Sequence, residues 1–186
     1  MVIGVLALQG AVSEHVVKLQ ACGVTTKLIK ELSDLTGIDG IVIPGGESTT
    51  IRKLLVREQM LTPLKQLVKS GLPVFGTCAG LVLLAQPDSL DGLNGQVERN
   101  GFGRQRESFE TELTVVGWSR PFHGVFIRAP FLTRVETPAK PIVTLPDGRI
   151  VAAQQANVLV TAFHPELTDD GRFHQLFIDE IVRGRG

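Results

Sequence analysis

Pro73-Val74-Phe75-Gly76-Thr77-Cys78-Ala79-Gly80-Leu81-Val82-Leu83-Leu84 opens as a short β-rich apolar run and closes as an apolar helix start, with Gly-x-Cys-x-Gly at the joint. A strand that turns sharply into a helix and presents one side chain at the apex is a nucleophile elbow. Gly76 and Gly80 suit a tight turn with strand and helix packed closely around it. An unassisted thiol, with pKa about 8.5, is only about 3% thiolate at pH 7. The helix N-terminus beside Cys78 carries partial positive charge, which lowers a thiol pKa. An arbitrary free cysteine is most often a core residue. Glycines two before and two after, at a strand-to-helix joint, favour a reactive one.

Upstream of the elbow the chain alternates strands and helices. Val2 to Leu8 is continuously apolar, as in a strand covered on both faces of a parallel sheet. Gln9-Gly10 turns the chain, and Val12, Val16, Leu19 and Cys22 follow at helical spacing, with Gly23 as C-cap. Residues 24–29 and 40–43 read as the second and third strands. Short connections between such elements predict a doubly wound α/β fold. Pro44-Gly45-Gly46-Glu47-Ser48-Thr49-Thr50 follows the third strand directly, with Ser48 or Thr49 as helix cap and free backbone N–H groups at the glycines. The pattern alone serves a plain loop and cap as well as an anion or oxyanion site. Its place at a strand's carboxyl end, where open α/β sheets bind ligands, adds weight to the site. A further helix spans 61–70.

Beyond Leu84 the pattern changes. Residues 86–95 read as a loop rich in Pro, Asp, Asn and Gly. Residues 108–116, 124–129, 141–145, 149–154 and 158–163 read as short strands, antiparallel in part, and an amphipathic helix around Phe173 to Ile181 closes the chain. No repeat or domain boundary interrupts residues 1–186, so one domain is expected. Lys+Arg and Asp+Glu balance at 19 each, which gives no footprint for nucleic acid or an anionic membrane. No apolar run approaches the ~18 residues of a membrane span. Met1 to Leu8 lacks a basic n-region and cleavage site and reads as a strand rather than a signal peptide. Two cysteines, Cys22 and Cys78, make no disulfide framework, and a reducing cytoplasm is expected.

A cysteine nucleophile needs a base, and the base needs a group to fix its tautomer. Phe163-His164-Pro165-Glu166 closes the last strand, and residues two apart on extended chain share a side. That placement predicts His164 as base and Glu166 as its partner, against the alternative of a surface histidine in a loop. His15 and His174 are expected on helix surfaces, and His123 in a turn, none with a comparable strand-end setting and carboxylate. Arginines recur in Glu98 to Gln105 and in Phe126-Ile127-Arg128-Ala129-Pro130, the latter inside an apolar strand end. From the residues alone, structural ion pairing accounts for these better than substrate binding.

With these pieces placed, the chain resembles the class I glutamine amidotransferases, and more narrowly the glutaminase subunits of two-component pyridoxal 5′-phosphate synthases. The elbow and Phe163-His164-Pro165-Glu166-Leu167 are shared across the class. Leu8 to Val12 with Glu14-His15, Pro44 to Thr50, Glu98 to Gln105 and Phe126 to Pro130 are much more specific. The resemblance implies a flavodoxin-like three-layer α/β/α domain, its mostly parallel central sheet joined by antiparallel strands in the second half. It implies Cys78 as nucleophile, His164 as base and Glu166 as orienting carboxylate. It further implies glutamine contacts at Gly46, Glu47, Ser48, Arg104, Ile127 and Arg128, and an oxyanion and activation region at Gln9, Gly45, Gly46 and Ala79. The expected activity is hydrolysis of L-glutamine to L-glutamate and ammonia, without metal or organic cofactor, with ammonia passed to a synthase subunit. Rival readings are a cysteine hydrolase of other esters or amides, a glutaminase serving a different synthase, and a non-catalytic flavodoxin-type binding module.

Overall fold

The structure, a computed structural model, describes residues 1–99, 101–102 and 108–185. The first half contains Val2–Leu6 (β1), Val12–Ala21 (α1), Thr25–Ile29 (β2), Gly40–Ile43 (β3), Ser48–Arg57 (α2), Leu61–Lys69 (α3), Val74–Thr77 (β4) and Ala79–Ala85 (α4). The second contains Gly95–Glu98 (β5), Ser108–Leu113 (β6), Phe122–Ile127 (β7), Phe131–Val135 (β8), Lys140–Thr144 (β9), Ile150–Gln155 (β10), Val158–Thr161 (β11) and Arg172–Leu176 (α5). Among the described residues nine strands form one sheet in the order β2-β1-β3-β4-β11-β10-β8-β5, with β9 paired to β10, while β6 and β7 pair separately. The five strands from β2 to β11 are parallel, and the rest of the sheet is antiparallel. The expected mixed α/β architecture is borne out.

Every residue of β3, β4 and β11 is buried, which is why these strands carry no polar alternation. Pleating assigns their faces. Phe75 packs edge-on against His15 of α1 and His174 of α5, and tilted against Phe177. Gly76, one residue on, points the other way, where a Cβ would lie 2.6 Å from Leu84 of α4. α1 and α5 thus cover one face, and α4, with α2 and α3 beside it, covers the other. Complete burial of a Phe such as Phe75, Phe163, Phe173 or Phe177 contributes about 1.5–3 kcal/mol each. Chain connection reverses between β1, whose next strand lies on one side, and β3, whose next lies on the other. The crevice at that switch point, at the strands' carboxyl ends, is where an open α/β sheet takes a ligand.

Several expectations change. The loop expected through Gly95 ends one residue earlier, where β5 begins, and β8 was legible as neither strand nor turn. Both lie at the far antiparallel edge, where β5 alternates only between half-buried and exposed side chains and β8 carries Thr133 and Arg134. β7 starts two residues earlier than expected and ends at Ile127, so Arg128 lies just beyond a strand, exposed, rather than inside one. The closing helix is α-helical only to Leu176 and continues as a π-helical segment, Phe177–Val182. Cys22 sits after the last residue of α1, as its C-cap. Among the described residues no helix is long and apolar enough to cross a membrane.

Candidate active site

Three loops meet at the switch point: the turn after β1, the glycine pair after β3 and the elbow after β4. Gly80 shows why the elbow needs its glycines. A Cβ there would lie 2.3 Å from the Ile43 carbonyl oxygen, so the first turn of α4 rests directly on the β3 backbone. Cys78 takes φ 48° and ψ −100°, with its N–H held by the Thr161 carbonyl at 2.8 Å. A non-glycine residue in such a conformation costs of order 1–3 kcal/mol and persists only where its surroundings fix it. Its sulfur lies 3.9 Å from the Ile127 carbonyl oxygen.

His164 and Glu166 meet as expected, by a different route. β11 ends at Thr161, and residues 165–167 form a 3-10 turn with His164 as its cap, so the pair is brought together by a turn rather than by extended chain. The His164 N–H is tied to the Val125 carbonyl at 2.8 Å, and its Nδ1 lies 2.7 Å from Glu166 Oε1. Both side chains are buried. Burial alone would lower the His164 pKa. Hydrogen bonds to Cys78 and Glu166, and their charges, outweigh it and raise the imidazole to about 10. The balance favours the cationic imidazole, held on one side by the carboxylate and facing Cys78 on the other.

A cavity of about 560 Å³ opens over Cys78 and His164. Gly45, Gly46, Glu47 and Ser48 line it, together with Ala79 at the elbow and Ile127 and Arg128 at the end of β7. Gly45 packs against the pair itself, since a Cβ there would stand 2.5 Å from His164 Cε1 and 3.4 Å from the Cys78 Cβ. Gln9 lies behind the glycine pair: its Oε1 accepts the Glu47 N–H at 2.9 Å, while Gly10 and Ala11 face the cavity. Arg104 lies outside the described residues. Of the other candidates, all but Gln9 and Glu166 line this cavity, and those two hold residues that do.

The helix cap is a correction. Neither Ser48 nor Thr49 caps α2. Glu47 does, accepting from the N–H groups of Thr49 and Thr50 and from the Thr50 hydroxyl. Hydrogen bonds from Thr50 and Thr49 lower its pKa to about 2. Sequence reasoning missed Arg99, which lines the cavity and bonds Glu47 at 3.2 Å and the Thr49 hydroxyl at 3.1 Å. Its signal was present in the Glu98 to Gln105 stretch, where Arg104 drew the attention. The other histidines also differ from expectation. His15 and His174 are fully buried, bonded to each other at 2.9 Å. His123 lies on β7, clamped between Glu110 and Glu112 at 2.7 Å each, so it too has carboxylate partners, though away from the cavity.

Such an arrangement can add a sulfur nucleophile to a carbonyl, protonate a leaving group and then activate water. Known proteins with related sequences narrow the reading. The pyridoxal 5′-phosphate synthase subunit PdxT of Listeria monocytogenes serotype 4a is 50% identical over 186 residues, 97% of this chain and 98% of that protein. The protein of the same name from Moorella thermoacetica is 51% identical over 189 residues, 97% of this chain and 100% of its own. A crystal structure of a glutamine amidotransferase superposes with a TM-score of 0.89 at 42% identity, covering 96% of this chain and 98% of that one. The resemblance read from the motifs is borne out: matched over residues 5–183, the chain belongs to the SNO glutamine amidotransferase family.

Proposed function

We propose that this chain is the glutaminase subunit of a pyridoxal 5′-phosphate synthase, acting as one domain in the cytoplasm, and that Cys78, His164 and Glu166 are its catalytic triad. The observation that carries the reading is the junction of a strained elbow cysteine, His164 and a buried Glu166 bonded to its Nδ1, beneath a cavity with room for an amino acid. The names of the relatives support the assembly and the pathway. In this mechanism the Cys78 thiolate attacks the glutamine carboxamide carbon. Backbone N–H groups around Ala79 and the Gly45-Gly46 peptide stabilise the oxyanion. The tetrahedral adduct collapses as His164 gives its proton to the departing ammonia, leaving a glutamyl thioester. His164 then takes a proton from water, which attacks the thioester and releases glutamate and the thiolate. Ser48, Ile127 and the guanidinium of Arg128 or Arg104 orient glutamine, with Arg–carboxylate pairing at the α-carboxylate. Glu47, already engaged as a cap, acts through its backbone.

The test is incubation with glutamine, with and without a synthase subunit, measuring ammonia and glutamate. Equimolar products, lost in Cys78→Ala, are expected. Hydrolysis of simple esters but not of glutamine in the presence of the synthase would overturn the reading.

A further inference from the structure

Behind Glu166, where α1, α5 and β4 meet, lies a second buried polar cluster. The two oxygens of the Glu166 carboxylate have different surroundings. Oε1 takes the His164 bond, while Oε2 is buried and lacks a hydrogen-bond partner of good geometry. His15 Nε2 lies 3.5 Å from Oε2. That same nitrogen is 3.1 Å from Thr77 Oγ1, on the residue preceding Cys78. The other His15 nitrogen, Nδ1, lies 2.9 Å from His174 Nε2, and His174 Nδ1 is buried with no partner among the described residues. Both rings are 0% exposed, and Phe75 packs edge-on against each.

Hydrogen counting chooses between two proton arrangements. If His15 carried its proton on Nδ1, its Nε2 lone pair would face the carboxylate, and His174 would be left with a buried Nδ1–H that has no acceptor. Two penalties would stack, the second worth about 1–3 kcal/mol. With His15 protonated on Nε2 and His174 on Nε2, the His15 N–H points between Thr77 and Glu166. His174 then donates to His15, and what stays over is a His174 lone pair and the Thr77 hydroxyl hydrogen, which can rotate where an imidazole N–H cannot. The second arrangement wins, because it alone turns an N–H rather than a lone pair toward the buried carboxylate and leaves no imidazole N–H without an acceptor. Burial, reinforced by the fields of His174 and His164, pushes His15 well below its ordinary pKa, and burial with the Lys18 field takes His174 down to about 3. The His15–Glu166 contact is therefore a neutral N–H dipole facing a carboxylate, long for a hydrogen bond, and not an ion pair.

We propose that His15 and His174 are positioning residues that continue the Cys78–His164–Glu166 line inward, presenting a neutral N–H to the second carboxylate oxygen and fixing the carboxylate plane that holds His164. This rests on the triad proposed above. The groups facing the carboxylate come from separate elements, His15 from α1 and His164 from the turn after β11, with Thr77 of β4 and His174 of α5 bonded to His15. Without the His15 donor the carboxylate turns to find another, which weakens its 2.7 Å bond to His164. Second-sphere partners of this kind at metal sites typically change activity about 10–100-fold.

Two measurements test it on the full chain. The chain has four histidines, so imidazole ¹⁵N spectra after histidine labelling are tractable. At pH 7 His15 and His174 should both be neutral and protonated on Nε2. A His15 protonated on Nδ1 would overturn the proposal whether or not the chain hydrolyses glutamine. In glutamine hydrolysis with saturating synthase subunit, His15→Leu should lower kcat about 10–100-fold with KM nearly unchanged. The alkaline limb of kcat/KM, set by His164, should move down by about one pH unit. His15→Gln, which offers an N–H near the Nε2 position, should return kcat to within a fewfold of the parent. Should His15→Leu not fold, His174→Leu removes only the group that fixes the His15 tautomer and should lower kcat a fewfold with the same direction of pH shift. Folded variants with the parent's pH profile and kcat would overturn the proposal. A parent chain inactive with the synthase would count against the glutaminase reading alone, leaving the tautomers to decide this one.

Discussion

At the level of single residues, the two cysteines show how environment separates identical chemistry. Cys78 has beside its sulfur a histidine whose charged form is favoured, because its hydrogen bonds and the charges next to it raise the His164 pKa to about 10. Cys22 ends a helix, and its thiol is pushed up by burial and by the nearby Asp179, which disfavours the thiolate. A glutamine-analogue electrophile should therefore modify Cys78 alone at pH 7, mapped by peptide mass spectrometry. Cys22→Ala should leave glutamine hydrolysis within about twofold. Labelling at Cys22 with Cys78 untouched would reverse the assignment. The sign of the pH dependence also follows. A histidine raised from about 6.5 to about 10 adds stability that is fully present below pH 6.5 and lost as pH rises through 10. The stability gap between the parent and His164→Ala should thus shrink between pH 7 and 10, as urea melts at several pH values would measure. A gap that widened over that range would show that His164 is not held in its charged form.

Among the elements, α2 offers the clearest energetic test, because its cap is also a wall of the cavity. Glu47 holds the first N–H groups of the helix and is itself bonded by Arg99. Glu47→Ala should cost about 1 kcal/mol, the usual worth of an N-cap, and Thr49→Ala distinctly less. With the Glu47 pKa lowered to about 2, the cap's contribution is present above pH 4.5 and lost as pH falls through 2. Equal melts for Glu47→Ala and the parent at pH 7 would remove the cap from the account. Sequence could reach the helix but not its cap. Ser48 and Thr49 look like capping residues by type, whereas Glu47 wins because the glycine pair before it sets the backbone that aims its carboxylate at α2. The parallel core was legible for a complementary reason: continuous apolar runs such as Ile41 to Ile43 have one reading in an α/β chain, and the elbow glycines mark where a helix must touch a strand. The antiparallel edge was not, since β5 and β8 owe their existence to each other across long sequence separation. His15 and His174 were misread for the same kind of reason. A polar residue on an amphipathic helix is normally on the wet face, and only the meeting of α1, α5 and β4 around Thr77 and Phe75 gives these two a buried partner.

For the whole molecule, the arrangement of loops around Gly45 suggests how a second subunit would set the rate. The Gly45 carbonyl oxygen sits so close to Gly10 that a Cβ on Gly10 would lie 1.7 Å from it, and Glu47, one residue past Gly46, is tied by its N–H to Gln9. The peptide proposed to complete the oxyanion site is thus clamped from both ends by the turn between β1 and α1. Gly46, at φ 153°, can change its dihedrals at little cost. A synthase subunit docking near Gln9 would pull the turn and reorient the Gly45-Gly46 peptide. One oxyanion donor gained or lost is worth about 10²–10³ in rate, so such a flip alone could account for strong activation. Releasing ammonia to solvent near neutral pH would yield mostly ammonium, which is not nucleophilic, so activity gated by the acceptor subunit avoids wasted glutamine. Titrating synthase subunit into the chain should therefore raise kcat/KM for glutamine at least tenfold, to saturation. Gln9→Ala, which frees the Glu47 N–H, should narrow the ratio between activated and basal rates while leaving Cys78 open to alkylation. Full activity in the isolated chain, with no rise at saturating synthase, would mean the loop is already set and the clamp is only structural.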